Sequence, residues 1–360
     1  MSYARSVLLL GLTAALAGAS LAAAGGGLAV VEERYLTRSE PEANIDSVAV
    51  TPAGPARPAL LFATAKATDV LKVFDASNGE ELAEIGRRGE APDEYRRPNG
   101  IAVVDDLLVV VERDNRRVSV RALPDYRVLA VFGSEVLRKP YGVWAHALGN
   151  DGYRLYVTDA YEGPDESVPP NEELDERVRT FVLRVERDAG GQAVGLRHRY
   201  EKSFGETAAP GALRVVESIY GDPAHDRLLI AEEDEDPETG LVIKVYDLAG
   251  RYTGTRIGKG VFEAQAEGIA LFACADGSGY WISTDQGRDR TTYHLFDRES
   301  LRHVGAFSGA RTANTDGIWL AQTGVPGFEQ GAFYAVHDDQ AVSAFDWGEV
   351  AAALGLESCR

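Results

Sequence analysis

Apolar and polar positions follow one another along the chain in short runs, and six of these runs open alike: a polar residue, a small one, then an apolar stretch. In order they are Asp46-Ser47-Val48, Asn99-Gly100-Ile101, Tyr141-Gly142-Val143, Glu217-Ser218-Ile219, Glu267-Gly268-Ile269 and Asp316-Gly317-Ile318. A second apolar run follows each opening and ends in polar residues. These second runs are Leu60-Leu61-Phe62 before Lys66, 107–111 before Glu112-Arg113-Asp114, and Leu155-Tyr156-Val157 before Asp159. In the later half they are Leu228-Leu229-Ile230 before the acidic run 232–236, Gly279-Tyr280-Trp281 before Asp285-Gln286-Gly287, and Phe333-Tyr334-Ala335 before His337-Asp338-Asp339. Third runs (70–74, 117–120, 243–246, 293–296) and fourth runs after tight turns (81–85, 303–307) complete the unit. Runs rich in Val, Ile, Leu and aromatics, bounded by Gly, Asp and Asn, predict strands. The unit recurs at intervals of roughly 40 to 75 residues, the range in which propeller blades recur.

The pattern therefore predicts an all-β fold, a six-bladed β-propeller with four-stranded antiparallel blades. A propeller gathers its innermost strands around a shared channel, so the six opening residues should form a ring, and most of them are carboxylates. Two segments fall outside the repeat. Residues 161–177 are polar and proline-bearing, an insertion in the third blade expected to be a mobile surface loop. Near the other end Asp346 is placed to cap a short C-terminal helix, with Glu349 as its capping-box partner and residues 350–354 as the apolar body.

The chain has 360 residues, 45% of them hydrophobic, enough for one propeller domain, read here as residues 41–358. Its net charge of −19 argues against nucleic acid and anionic membrane as partners and favours a cation. At the N-terminus Arg5 precedes an apolar run, 7–21, and the small residues Ala22-Ala23-Ala24-Gly25, which predicts a secretory signal peptide over 1–24 and a linker over 25–40. The mature protein is expected to be periplasmic or secreted, monomeric and without stable membrane association. Cys274 and Cys359 are the two cysteines; they show no metal-ligand spacing and are expected to remain unbridged, Cys274 as a small buried residue.

Chemistry is sought among the converging polar residues. Asp46, Glu217, Glu267 and Asp316 from the openings share a rim with Glu232, Glu233, Asp234, Glu235, Asp285, Asp338 and Asp339 from the ends of second runs. Carboxylates crowded without matching cations raise one another's pKa unless metal ions bind among them. Hard oxygen donors on irregular loops suit Ca2+ better than zinc, and the six histidines form no zinc pair at helical spacing; His337, beside Asp338, is the one that could join the rim. The chain carries no Gly-x-Ser-x-Gly elbow, no cysteine–histidine pair of nucleophilic character and no phosphate loop, so a nucleophile would have to be metal-activated water.

These residues resemble the β-propeller phytases, calcium-dependent six-bladed enzymes that release phosphate from inositol phosphates. The resemblance rests on Val216-Glu217-Ser218, Leu229-Ile230-Ala231-Glu232-Glu233-Asp234-Glu235, Ala266-Glu267-Gly268-Ile269, Asp285-Gln286-Gly287 and Asn314-Thr315-Asp316-Gly317-Ile318, covering residues 210–355. The first half is looser: Asp46-Ser47-Val48 resembles the family's opening strand, and Lys66, Arg113 and Tyr141 fall where the family contacts substrate phosphate. It implies metal ligation by Asp46, Glu217, Glu232, Glu233, Asp234, Glu267, Asp316 and Asp338, catalysis through Glu217, Glu232 and Glu267, and substrate binding by Lys66, Arg113 and Tyr141. The chain departs from the family pattern at Gln265, where the family has Asp, and at Asp159-Ala160-Tyr161, which replaces a lysine-bearing segment. Residues 86–118 are also similar to an NHL repeat, so a calcium-binding or NHL-like binding propeller and a metal-dependent lactonase-type hydrolase stand as alternatives to a phytate phosphatase.

Overall fold

The computed structural model describes residues 28–54, 57–236, 238–357 and 359. The expected signal peptide, 1–24, lies outside the described residues. Six antiparallel sheets are arranged as the blades of a propeller. Blade 1 is Ile45–Thr51, Leu60–Ala65, Val70–Asp75 and Glu81–Ile85; blade 2 is Pro98–Val104, Leu107–Glu112, Arg117–Ala122 and Val128–Phe132. Blade 3 is Pro140–Gly149, Gly152–Asp159, Val178–Arg187 and Ala193–Phe204; blade 4 is Val216–Asp222, Arg227–Glu232, Val242–Tyr246 and Tyr252–Ile257. Blade 5 is Ala266–Ala273, Gly279–Asp285, Thr292–Asp297 and His303–Gly309, and blade 6 contains Ile318–Ala321, Ala332–His337 and Ala341–Asp346.

The fourth strand of blade 6 comes from the other end of the chain. Tyr35–Leu36 pairs antiparallel with Ala341–Asp346, and Ala29–Val31 adds a parallel fifth strand to the edge of blade 5. Both segments lie within 25–40, the stretch expected to be a linker; two and three residues are too short to announce themselves by periodicity. Between them Glu33 is buried and accepts hydrogen bonds from the N–H groups of Arg311 and Thr312 and from the Thr312 hydroxyl. No helix among the described residues is long and apolar enough to cross a membrane.

Second and third strands are covered on both faces by neighbouring blades, which is why they read as unbroken apolar runs. Adjacent residues on one strand serve opposite interfaces: Leu61 packs toward blade 6 with Val336, while Phe62 packs toward blade 2 with Val110. The alternation continues around the circle, with Val109 and Leu155 between blades 2 and 3, Tyr156 and Ile230 between 3 and 4, and Leu229 and Trp281 between 4 and 5. Tyr293 and Phe333 close it between 5 and 6. Each such side chain contributes on the order of 1.5–3 kcal/mol by burial.

The C-terminal helix, Trp347–Leu354, is capped by Asp346, whose carboxylate accepts from the N–H groups of Gly348 and Glu349. Glu349 does not complete a capping box but pairs with Arg34 at 3.3 Å. Trp347 stacks on Phe272 with ring centroids 5.0 Å apart, seating the helix against blade 5. Beyond it Cys359 is disulfide-bonded to Cys274, with the Cα atoms 5.3 Å apart. This corrects the expectation of unbridged cysteines; the helix turns the tail back toward the far end of the first strand of blade 5, a proximity that 85 residues of sequence separation conceal. The insertion 161–177 is anchored at both ends. Tyr161 lies between the guanidinium groups of Arg138 and Arg177, each 4.4 Å from its ring centroid, and buried Arg177 donates to four backbone carbonyls.

Candidate functional site

In blades 1 to 5 the first strand breaks register near its start, between Ile45 and Val48, Pro98 and Ile101, Pro140 and Val143, Val216 and Ile219, and Ala266 and Ile269. Such a bulge re-aims the residues it contains, and these are Asp46-Ser47, Asn99-Gly100, Tyr141-Gly142, Glu217-Ser218 and Glu267-Gly268. Asp316-Gly317 holds the same place before Ile318–Ala321 of blade 6. In four of the pairs the second residue is glycine, and there the next blade leaves no room for a side chain. A Cβ on Gly100 would lie 2.4 Å from the Tyr141 carbonyl oxygen, on Gly142 2.1 Å from that of Glu217, and on Gly317 2.7 Å from that of Asp46. Gly268 N–H donates to the Asp316 carbonyl at 3.0 Å and Gly317 N–H to the Asp46 carbonyl at 2.9 Å, so the blades are stitched together at the ring itself.

The first residues of the pairs in blades 1, 3, 4, 5 and 6 lie close together. Carboxylate oxygens of Glu217, Glu233 and Glu267 all lie within 4.8 Å of one another; Glu233 and Glu267 are buried, and Glu217 keeps one side toward solvent. Lys66 bonds Asp46 at 2.7 Å and approaches Asp316 at 4.0 Å, and its ammonium lies 6.0 Å from the Tyr141 ring centroid. Asp316 also receives the Gln286 side-chain amide and shares a hydrogen bond with Asp339. Burial, then Asp46, pushes the Glu217 carboxyl above its usual range; burial and the neighbouring Glu217 do the same to Glu233 and Glu267, and burial with Asp46 to Asp316. Tyr141 is raised by burial and by Glu217. One ammonium thus faces a larger group of carboxylates, and Glu233 Oε1 is buried without a hydrogen-bond partner among the described residues. An all-oxygen donor set with an orphaned buried oxygen fits a hard divalent cation such as calcium.

Three residues expected at the metal do not join this cluster. Glu232 is fully buried on the other side of the strand end, where it accepts from the N–H groups of Arg214 and Val215 at 2.8 and 2.6 Å and pairs with Lys244 at 2.7 Å. The same clamp recurs in three other blades. Glu112 takes the Arg96 N–H and pairs with Arg117 at 2.7 Å, and Asp159 takes the N–H groups of Arg138 and Lys139 and pairs with Arg179 at 3.2 Å. Asp285 takes the N–H groups of Glu263 and Ala264 and meets His294 at 3.4 Å. In blade 6 His337 fills this position, accepting the Ala313 N–H on Nδ1. Each clamp fastens the loop entering a blade to that blade's second strand, so Glu232, Asp285 and His337 are architectural. The cationic third-strand partner was the available signal in the sequence. Asp234 shapes its own loop by pairing with Arg214 at 2.7 Å and accepting from Asp236 and Thr239. Asp338 is exposed and takes a bond from Gln340; its neighbour Asp339 is the one that reaches Asp316.

Arg113 pairs with Asp114 at 2.8 Å and lines a 180 Å³ cavity together with Lys139, Tyr141 and Glu217. Lys139, which the sequence reading did not single out, is tied to Glu162 of the insertion. Gln265, where a carboxylate was expected from the resemblance, directs its amide to the Glu233 carbonyl at 3.5 Å.

Fold and site together define a β-propeller with a carboxylate-rich channel mouth built from all its blades. The phytase family model matches residues 214–344, blade 4 to blade 6, the segment that contributes Glu217, Glu233, Glu267 and Asp316. The resemblance to β-propeller phytases, drawn from the motifs of these blades, is therefore shown. No curated protein matches the chain. Among solved structures, Kuenenia stuttgartiensis hydrazine synthase is similar at 15% identity and a TM-score of 0.47, over 89% of this chain and 82% of that one.

Proposed function

We propose that this protein is a calcium-dependent phosphomonoester hydrolase acting on phytate or a related inositol phosphate. One observation carries the reading: the acidic cluster and the phosphate-binding candidates Lys66 and Tyr141 belong to a single ring, Lys66 bonding Asp46 directly. Glu217, Glu233 and Glu267 would hold the ion, with Asp46 and Asp316 nearby. A bound calcium supplies positive charge and Lewis-acid chemistry toward phosphate oxygens and water. The chain's own part is to position and to stabilise. Lys66, Arg113 and Tyr141 offer donors to the charge that gathers on the transferring phosphoryl group, and the buried carboxylates fix where positive charge can collect on a protein whose net charge of −19 would repel a polyanion.

The disulfide supports residence in an oxidising compartment, periplasmic or extracellular. Phosphate release from calcium phytate by the purified protein, with and without a chelator, tests the function. Release abolished by the chelator supports it; no release at any calcium concentration from a folded protein overturns it in favour of a binding propeller.

A further inference from the structure

The 180 Å3 cavity beside Tyr141 and Glu217 is walled in part by the insertion of blade 3 and carries four cationic side chains, Arg113, Lys139, Arg177 and Arg214. Two of the four are fully engaged in holding the structure. Buried Arg177 gives its N–H groups to four backbone carbonyls, and Arg214 pairs with Asp234 at 2.7 Å and donates to Asn171 Oδ1 at 3.0 Å. The other two are held, among the described residues, only by carboxylates that stand in solvent. Lys139 pairs with Glu162 of the insertion, whose side chain is 35% exposed, and Arg113 pairs with Asp114, 40% exposed, at 2.8 Å. Ion pairs in such surroundings are weak, because water screens the charges and ordering two long side chains costs entropy. Both cations can therefore be claimed by a better anion.

The backbone fixes both members of the Lys139–Glu162 pair. Lys139 N–H donates to the Asp159 carboxylate at 2.7 Å, and the Lys139 carbonyl accepts the Ala160 N–H at 2.9 Å. Glu162 follows Tyr161, whose ring is clamped between Arg138 and Arg177 and whose hydroxyl bonds the Glu173 carbonyl. Beyond Glu162 the largely exposed turn 163–167 closes on itself, Gly163 N–H donating to the Ser167 carbonyl at 2.8 Å. Releasing Lys139 thus requires only a rotation of the Glu162 side chain, with the anchored base of the insertion left in place. The Lys139 ammonium is also near enough to Glu217 for its charge to favour the ionised form of that carboxyl. A phosphate held by Lys139 would therefore lie next to the acidic cluster.

We infer that Lys139 is a phosphate-contacting residue of this site and that Glu162 is its place-holder: in the free protein the Glu162 carboxylate occupies the ammonium, and a substrate phosphate displaces it to bind in the cavity that Lys139 shares with Arg113 and Tyr141. The inference rests on the phosphatase reading above and adds to it a residue and an exchange. Phosphate is the anion the exchange favours, since it brings more charge and more acceptor oxygens to lysine and arginine than a carboxylate does. The exchange also gives a purpose to the anchoring of Tyr161, which keeps Glu162 over Lys139 while the turn beyond it stays exposed.

The test is calorimetric titration of inorganic phosphate into the calcium-loaded full chain, with melting temperature, phytate kinetics and affinity for terbium as a calcium probe read alongside. Wild type is compared with Lys139→Gln, Lys139→Arg, Glu162→Gln and the double variant Lys139→Gln/Glu162→Gln. Lys139→Gln is expected to weaken phosphate binding by about tenfold or more, the loss typical of a bond to a charged group, and to raise KM for phytate; Lys139→Arg, which keeps the charge, should retain most of the affinity. Glu162→Gln should act in the opposite direction and tighten phosphate binding by about two- to fivefold, the worth of a half-exposed ion pair. That gain should vanish in the double variant, because it passes through Lys139. Wild-type phosphate affinity in Lys139→Gln would overturn the inference, as would a parallel loss of terbium binding, which would mean that Lys139 only shapes the ring. Weaker phosphate binding by Glu162→Gln, or a gain that persists in the double variant, would overturn the exchange. If the wild-type chain neither binds phosphate nor releases it from phytate, the phosphatase reading falls and this inference with it. If it binds phosphate without releasing it from phytate, only the hydrolytic reading falls and the variants still decide the role of Lys139.

Discussion

Glu232 and Glu233 are consecutive in the chain and face opposite ways: the first is locked to Lys244 at 2.7 Å inside blade 4, and the second stands in the acidic cluster with one oxygen unbonded. The period-2 geometry of an extended chain separates them, and their consequences on substitution should separate as cleanly.

Glu232→Ala strips Lys244 and two backbone N–H groups of their acceptor in a fully buried setting. Removing one partner of a buried pair costs about 3–5 kcal/mol, so chemical denaturation should show a large loss of stability. Glu233→Gln should leave the denaturation midpoint in chelator near that of wild type and weaken terbium binding. Equal effects in the two variants would erase the distinction between clamp and cluster.

Lys66 occupies a place among carboxylates that a metal ion would also seek. Lys66→Gln is therefore expected to tighten calcium binding while weakening phosphate binding and lowering the rate of phosphate release. Calorimetry with each ligand reads the two effects separately. Weaker binding of both ligands would mean that Lys66 only holds the ring in shape.

The Cys274–Cys359 bridge lies at the end of blade 5 remote from Glu267, at the opposite end of the strand Ala266–Ala273. Replacing both cysteines by serine should lower stability by roughly 2–4 kcal/mol without altering calcium affinity. Thermal melts under oxidising and reducing conditions, with the serine variant as reference, measure this; a change in calcium affinity would show that the tail influences the mouth.

Acid should loosen the fold through clamped carboxylates away from the mouth. Burial works to raise the Asp222 pKa, but hydrogen bonds from Arg298 and His225 outweigh it and hold the carboxyl below its ordinary value. A folded pKa below the unfolded one gives stabilisation that is complete above the unfolded value, near about 4, and is lost as pH falls through the lower folded value. The stability difference between wild type and Asp222→Asn should thus be full at neutral pH and shrink below about pH 4. A difference that holds constant down to the acid transition would remove Asp222 from the account.

The ring was legible in the sequence because its geometry constrains two consecutive positions at once. A bulge residue must be polar to face the mouth, and its successor must be small to clear the carbonyl of the next blade, as at Gly100, Gly142, Gly268 and Gly317. Such a pair repeated around the propeller exposes both the fold and Asp46, Glu217, Glu267 and Asp316. Residues 232–236 were harder because a charge run hides strand parity, so Glu232 and Asp234 read as ligands beside Glu233. At the end of blade 6 the same difficulty put Asp338 in the place of Asp339. The edge strands Ala29–Val31 and Tyr35–Leu36 and the disulfide depend on partners hundreds of residues away or on the course of the tail, which local pattern does not record.

Blade 6 takes its outer strand from residues 35–36, and the Gly317 N–H that reaches the Asp46 carbonyl joins the last repeat to the first. During synthesis the ring of six opening residues therefore closes last: Glu217, Glu233 and Glu267 are translated long before Ala341–Asp346 can receive the N-terminal strand. The last blade is thus a joint product of both ends of the chain, and a cut near either terminus would open the circle at the same seam.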